Sequence, residues 1–148
     1  MAVHAVAHLN FRGEARAALE FYRSVFGGEI QVATYGDFGM PQDAPGADQV
    51  VFGQVVGENG FQVMAYDVPG AAAPAPVGET SRENGMTITT ERFFLSVGGD
   101  SVDEVGECWK KLAEDATVIE PFGPSRWSPG FGMLRDRFGV TWILQVAA

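Results

Sequence analysis

The sequence is poor in the residues that would assign it to several common classes. A single cysteine, Cys108, stands among 148 residues, so a disulfide within one chain is excluded and a reducing cytoplasm is the expected setting. Cys108 borders the apolar stripe of a helical segment, with no Lys, Arg or His spaced to activate it, and reads as an inert thiol. No run of about 20 apolar residues is present, which excludes a membrane-spanning helix. The first residues lack the basic and apolar regions of a secretory signal, so a soluble, unexported protein is expected. Basic residues are scarce as well, 10 Lys and Arg against 19 Asp and Glu, for a formal charge of −9. Without a basic cluster to release counterions, nucleic acid is not an expected partner. The acidity favours solubility and does not identify a ligand. Histidine is limited to His4 and His8, both at the N-terminus, so no Ser-His-Asp or Cys-His set is expected.

What the chain does have is a repeat. A strand (Ala7 to Phe11), a helix (Glu14 to Phe26) and three strand-like runs ending near Tyr66 recur in the same order from Phe93 to Val146. Aligning Ala7-His8-Leu9-Asn10-Phe11 with Phe93-Phe94-Leu95-Ser96-Val97 gives an offset of 86 residues. The 19 glycines and 8 prolines collect between the periodic segments, as turns joining short strands require. One βαβββ unit cannot bury both faces of its sheet. The expectation is therefore an α+β fold in one domain. Its two βαβββ units, residues 1–68 and 91–148, form a curved mixed sheet around a cleft with the helices on the convex side. Residues 69–90, rich in Ala, Pro, Gly, Glu and Ser and without a period, read as a mobile linker. A cleft points to small-molecule chemistry or binding.

Alternation assigns the faces. In Ala7 to Phe11 the apolar Ala7, Leu9 and Phe11 should meet the helix, leaving His8 and Asn10 toward the cleft. Phe61, Val63 and Ala65 should likewise face the helix, and Gln62, Met64 and Tyr66 the cleft. Gly57-Glu58-Asn59-Gly60 reads as the hairpin turn before that strand. From Glu91 to Gly98, Phe93, Leu95 and Val97 are assigned to the helix side and Arg92, Phe94 and Ser96 to the inner side. Ser101 with Glu104 forms a capping box, and Val102, Val105, Trp109 and Leu112 supply the stripe of the second helix. Trp127 sits in a loop between Pro124 and Pro129, and the last strand offers Ile143 or, with a shifted register, Gln145. Phe94, Tyr66, Trp127, Phe131 and Trp142 are candidates to stack a flat ligand, with Arg92 to pair with an anionic group. Arg135 and Arg137 bracket the turn at Asp136 and read as solvated.

Several of these segments resemble one superfamily. They are His8-Leu9-Asn10-Phe11-Arg12-Gly13, Ala18-Leu19-Glu20-Phe21-Tyr22 and Val25-Phe26-Gly27-Gly28, then Trp127, Gly130 to Val140 and Trp142. The chain is similar to the vicinal-oxygen-chelate superfamily of glyoxalase I, bleomycin-resistance proteins and extradiol dioxygenases. Within it, the chain resembles the PhnB-type branch, also labelled 3-demethylubiquinone methyltransferase-like. No glycine-rich fingerprint for S-adenosylmethionine is present, so methyl transfer is not expected.

The resemblance implies the fold across essentially the whole chain, a homodimer, and in its metal enzymes one ligand on the first and last strands of each half. His8 matches the first of these positions if one residue is deleted in the turn before the helix. The others fall on Met64, Arg92 and Ile143 or Gln145, which suit a divalent ion poorly. The expectation is a protein without metal or other cofactor that binds a small, partly aromatic or anionic ligand. Asn10, Met64, Tyr66, Arg92, Phe94, Trp127 and Gln145 would contact that ligand, and His8 is the one candidate for proton transfer. The alternative is a divalent-metal-dependent lyase or dioxygenase of the glyoxalase I or extradiol class.

Overall fold

The computed structural model describes residues 3–71 and 78–147, which fall into two compact units, Met1–Ala75 and Pro76–Ala148. In the first, β1 (His8–Phe11), α1 (Ala15–Phe26), β2 (Glu29–Thr34), β3 (Val50–Val56) and β4 (Gln62–Asp67) follow in order. They build a four-stranded sheet β1-β4-β3-β2 in which β1 lies parallel to β4 and the other neighbours are antiparallel.

Burial explains why these segments adopt these forms. Leu9 and Phe11 of β1 and Val63 and Ala65 of β4 are buried beneath α1, which contributes Ala15, Ala18, Leu19, Tyr22 and Val25 at helical spacing. Each large side chain so buried contributes roughly 1.5–3 kcal/mol. Gly53 lets the helix approach β3, since a Cβ there would lie 2.5 Å from Leu19 Cδ1. The helix stops at Gly27, whose φ of 79° favours glycine and whose N–H donates to Arg23 O at 2.8 Å. The hairpin between β3 and β4 closes where the sequence indicates, with the Gly57 N–H donating to Phe61 O at 2.7 Å.

The second unit repeats this plan. After the hairpin β5 (Thr80–Glu83) and β6 (Met86–Thr89) come β7 (Leu95–Gly99), α2 (Val102–Leu112), β8 (Thr117–Gly123), β9 (Phe131–Arg135) and β10 (Thr141–Val146). The sheet order is β7-β10-β9-β8, with β7 parallel to β10. The two βαβββ repeats thus share one topology, and Leu95 and Val97 alternate with exposed Ser96 as Leu9 and Phe11 do with Asn10. Ser101 caps α2 by accepting the Glu104 N–H at 3.3 Å. Trp109 stacks on Phe122 at 5.8 Å between centroids and lies against Gly132, where a Cβ would come within 2.8 Å of its ring.

Four details differ from the sequence reading. Residues 69–90 are not structureless throughout, because residues 80–89 form the β5–β6 hairpin of the second unit. The expectation of mobility for 72–77 lies outside the described residues. The strand expected from Glu91 begins at Leu95, leaving Phe93 61% exposed rather than against the helix. Val102, at the first position of α2, is exposed, whereas Val105 and Leu112 of the expected stripe are buried. Arg135 is not solvated: its Nη2 bonds Gly78 O and pairs with Glu91 Oε2 at 3.3 Å.

Candidate functional site

On the first sheet, the face opposite α1 carries a row set by strand register. His8 stands beside Met64, Met64 beside Gln54 and Gln54 beside Gln31. Asn10 pairs across to Tyr66 in the adjoining row. Side chains two apart on a strand share a face, so His8 and Asn10 meet, with Nδ1 and Oδ1 at 3.1 Å. The His8 ring meets Tyr66 edge to face at 5.3 Å, and Gln54 Nε2 donates to Gln31 Oε1 at 2.7 Å. His8, Asn10, Met64 and Tyr66, four of the residues singled out from sequence, therefore lie together. This part of the face holds an imidazole, side-chain amides, a thioether and a phenol.

Asp67 and Tyr35 support that face, and sequence reasoning missed both. The Asp67 carboxylate is buried, accepting Gly13 N–H at 2.7 Å and Ala15 N–H at 3.0 Å on Oδ1 and Val50 N–H at 2.9 Å on Oδ2. It fixes the start of α1 and of β3 relative to the end of β4. The Tyr35 hydroxyl donates to Asp67 O at 2.6 Å. Burial raises the Tyr35 phenol above its ordinary pKa, and the nearby Tyr66 and Asp67 add to this. A period-two apolar pattern gives no hint of a buried carboxylate, but the acidic residue ending β4 opposite a helix start was a usable signal.

In the second unit the face opposite α2 carries Ser96, Ile143, Met133 and Glu120 in one row, and Gly98, Gln145 and Phe131 in the next. Gln145 is half-buried beside Phe131. The Trp127 ring meets Phe131 edge to face at 5.1 Å. Its loop is pinned by buried Ser128, whose Oγ lies 2.6 Å from Val146 O and 2.7 Å from Gly130 O, shares its one proton between them, and accepts the Gly130 N–H at 3.1 Å. Over this face the hairpin lays Arg82, whose guanidinium stands 5.2 Å from the Phe131 ring and 5.9 Å from that of Trp127. Thr87 Oγ1 approaches Met133 Sδ at 3.7 Å. Arg92 is exposed and Phe94 half-buried in the segment ahead of β7, outside the strand that was expected to orient them. Trp142 is core: it is buried, and its Nε1 donates to Asp136 Oδ2 at 2.8 Å.

The donor set decides how well a divalent ion would fit. Across from His8 stands the Met64 thioether, and its other neighbours are an amide and a phenol, none a favoured ligand of the oxygen-preferring metals. On the second unit, Glu91 is engaged by Arg135, Thr80 and Thr141, and Glu120 pairs with Arg82 at 3.6 Å. Among the described residues no three His, Cys, Asp or Glu side chains are grouped to hold an ion. These side chains do not fit the metal that the resemblance implies for its enzymes. Cys108 is half-buried, and burial pushes its thiol up; Lys111 opposes the shift, a cation the sequence reading overlooked, while Glu104 and Glu107 reinforce it.

Each half is a βαβββ unit with a polar and aromatic face opposite its helix. The chain belongs to the Glyoxalase/Bleomycin resistance protein/Dioxygenase superfamily, whose sequence model matches residues 5–144. Among solved structures it is similar to protein PA1353 from Pseudomonas aeruginosa, with 28% identity, a TM-score of 0.76 and coverage of 99% of this chain and 98% of that one. It is also similar to the PhnB protein from Bacillus cereus, described as a candidate 3-demethylubiquinone-9 3-methyltransferase, at 25% identity and TM-score 0.73, covering 98% of this chain and 100% of that chain. Protein YjdN of Escherichia coli K12 is 23% identical over 146 residues, 94% of this chain and 92% of its own length. No helix among the described residues is long and apolar enough to cross a membrane.

Proposed function

We propose that this PhnB-like protein binds a small, partly aromatic or anionic molecule through the polar and aromatic groups on the open faces of its sheets, without a metal ion. The observation that carries the reading is the surroundings of His8: Met64 across the strand pair, Asn10 at 3.1 Å and Tyr66 edge-on at 5.3 Å. Such a setting offers hydrogen bonds and ring contacts to a ligand and gives a cation one nitrogen. Asn10, Tyr66, Gln54 and Gln31 fix orientation through neutral donors and acceptors, and the thioether and phenol supply contact area. The protein works as a cytoplasmic homodimer in this reading, which the lone cysteine and the exposed edges of each sheet support.

The competing reading, a divalent-metal lyase or dioxygenase, draws on family membership and on the exposed imidazole of His8 on the first strand. Thermal-shift screening against flat aromatic and anionic compounds separates the two, because a ligand that binds only the native state raises its stability. Stabilisation that survives a chelator and is lost in Tyr66→Ala supports the binding reading. Stabilisation that appears only with an added divalent metal would reject it.

A further inference from the structure

We propose that, on the open face of the second sheet, Arg82 receives the anionic end of a ligand and Trp127 stacks on its ring, so that the ligand bound there is an aromatic carboxylate. This rests on the binding reading above and names its chemistry. Arg82 lies on β5 opposite Thr87, with only 11% of its side chain exposed. A guanidinium held so far from water is costly unless its planar fork is fully used. Here the fork is used in part. Nη1 donates to Thr87 Oγ1 at 2.9 Å, whereas the buried Nε–H has no hydrogen-bond partner. Glu120 Oε1 stands 3.6 Å from Nε, close enough to balance charge and too far to bond.

The surroundings select what completes the fork. The rings of Phe131 and Trp127 hold the guanidinium at 5.2 and 5.9 Å and exclude water from it. A carboxylate matches the Nε edge in the two-bond geometry that arginine favours. Glu120, 39% exposed on β8, can turn to solvent as that carboxylate arrives. Trp127 is 49% exposed, and Ser128 fixes its loop to the end of β10, so a stacking surface stands ready beside the charge. Arg82 therefore takes the part that sequence patterning assigned to Arg92.

The test uses benzoate and its uncharged analogue benzamide, followed by calorimetry and by the Nε–H resonances of Arg82 and Trp127. Benzoate should bind about tenfold more tightly than benzamide, the worth of one charge-assisted hydrogen bond. Arg82→Gln should erase that preference, and Glu120→Gln, at a partly exposed position, should strengthen benzoate binding by removing the competing charge. If Arg82→Gln does not fold, the Glu120→Gln result decides. Equal binding of the two probes, or benzoate binding no tighter in Glu120→Gln, overturns the assignment to Arg82 and leaves the binding reading intact. Failure of every aromatic probe, charged or neutral, contradicts both.

Discussion

Asp67 accepts the Ala15 N–H at 3.0 Å, so the last residue of β4 caps the first turn of α1 across 52 residues of chain. No side chain next to the helix does this, since Glu14 at the N-cap makes no capping bond. The same carboxylate serves Gly13 and Val50, and three backbone donors in two segments depend on it.

Asp67→Ala should therefore cost about 3–5 kcal/mol, the range for leaving several buried donors unpaired. Asp67→Asn, which keeps an acceptor oxygen, should cost less. Urea denaturation monitored by circular dichroism measures both. A loss below about 1 kcal/mol for the alanine variant would contradict this role for the carboxylate.

Burying Glu91 and Arg135 together predicts a more local effect. Glu91 accepts from Thr80 of the hairpin and Thr141 of β10 as well as from Arg135. Glu91→Gln leaves the guanidinium without its counter-charge, at a cost of about 2–4 kcal/mol after discounting for partial exposure. Because Thr80 belongs to β5, amide exchange should quicken between Thr80 and Thr89 before it does in β9 and β10. Equal protection loss in all four strands would show that Glu91 anchors the sheet and not the hairpin.

Much of the fold was legible because period and punctuation agree in these segments. Leu9 and Phe11, Val63 and Ala65, and the Ser101 cap all sit where alternation and capping chemistry put them. The β5–β6 hairpin was hidden because Thr80-Ser81-Arg82-Glu83 and Met86-Thr87-Ile88-Thr89 carry no clean apolar alternation. Their inward groups are threonines and an arginine instead of core residues: Thr80 bonds Glu91, Arg82 bonds Thr87 within the hairpin, and Thr87 approaches Met133 of the second sheet. The same blind spot concealed Arg82. On the first unit the gathering of His8, Asn10, Met64 and Tyr66 followed from strand period alone. Arg92 and Phe94 lie ahead of β7, which begins at Leu95, so the pleat read from the sequence does not orient them.

The Cys108 thiol has a pH signature. Burial raises its pKa above the ordinary value of 9.0, so the thiolate is scarcer than in a free cysteine throughout the neutral range. Its contribution to stability is fully present below the unfolded pKa and is lost as pH rises through the higher folded value. Alkylation of the native protein should therefore run more slowly than that of free cysteine at pH 8 and keep accelerating beyond pH 9. A rate that levels off below pH 8 would mean that Lys111 outweighs burial.

In the metal-free binding reading, His8 faces a ligand and not an ion. Elemental analysis of protein purified without chelators, made side by side on wild type and His8→Ala, tests it most directly. Both proteins should carry far less than one equivalent of zinc, nickel, manganese or iron. One full equivalent in the wild type that disappears in His8→Ala would contradict it.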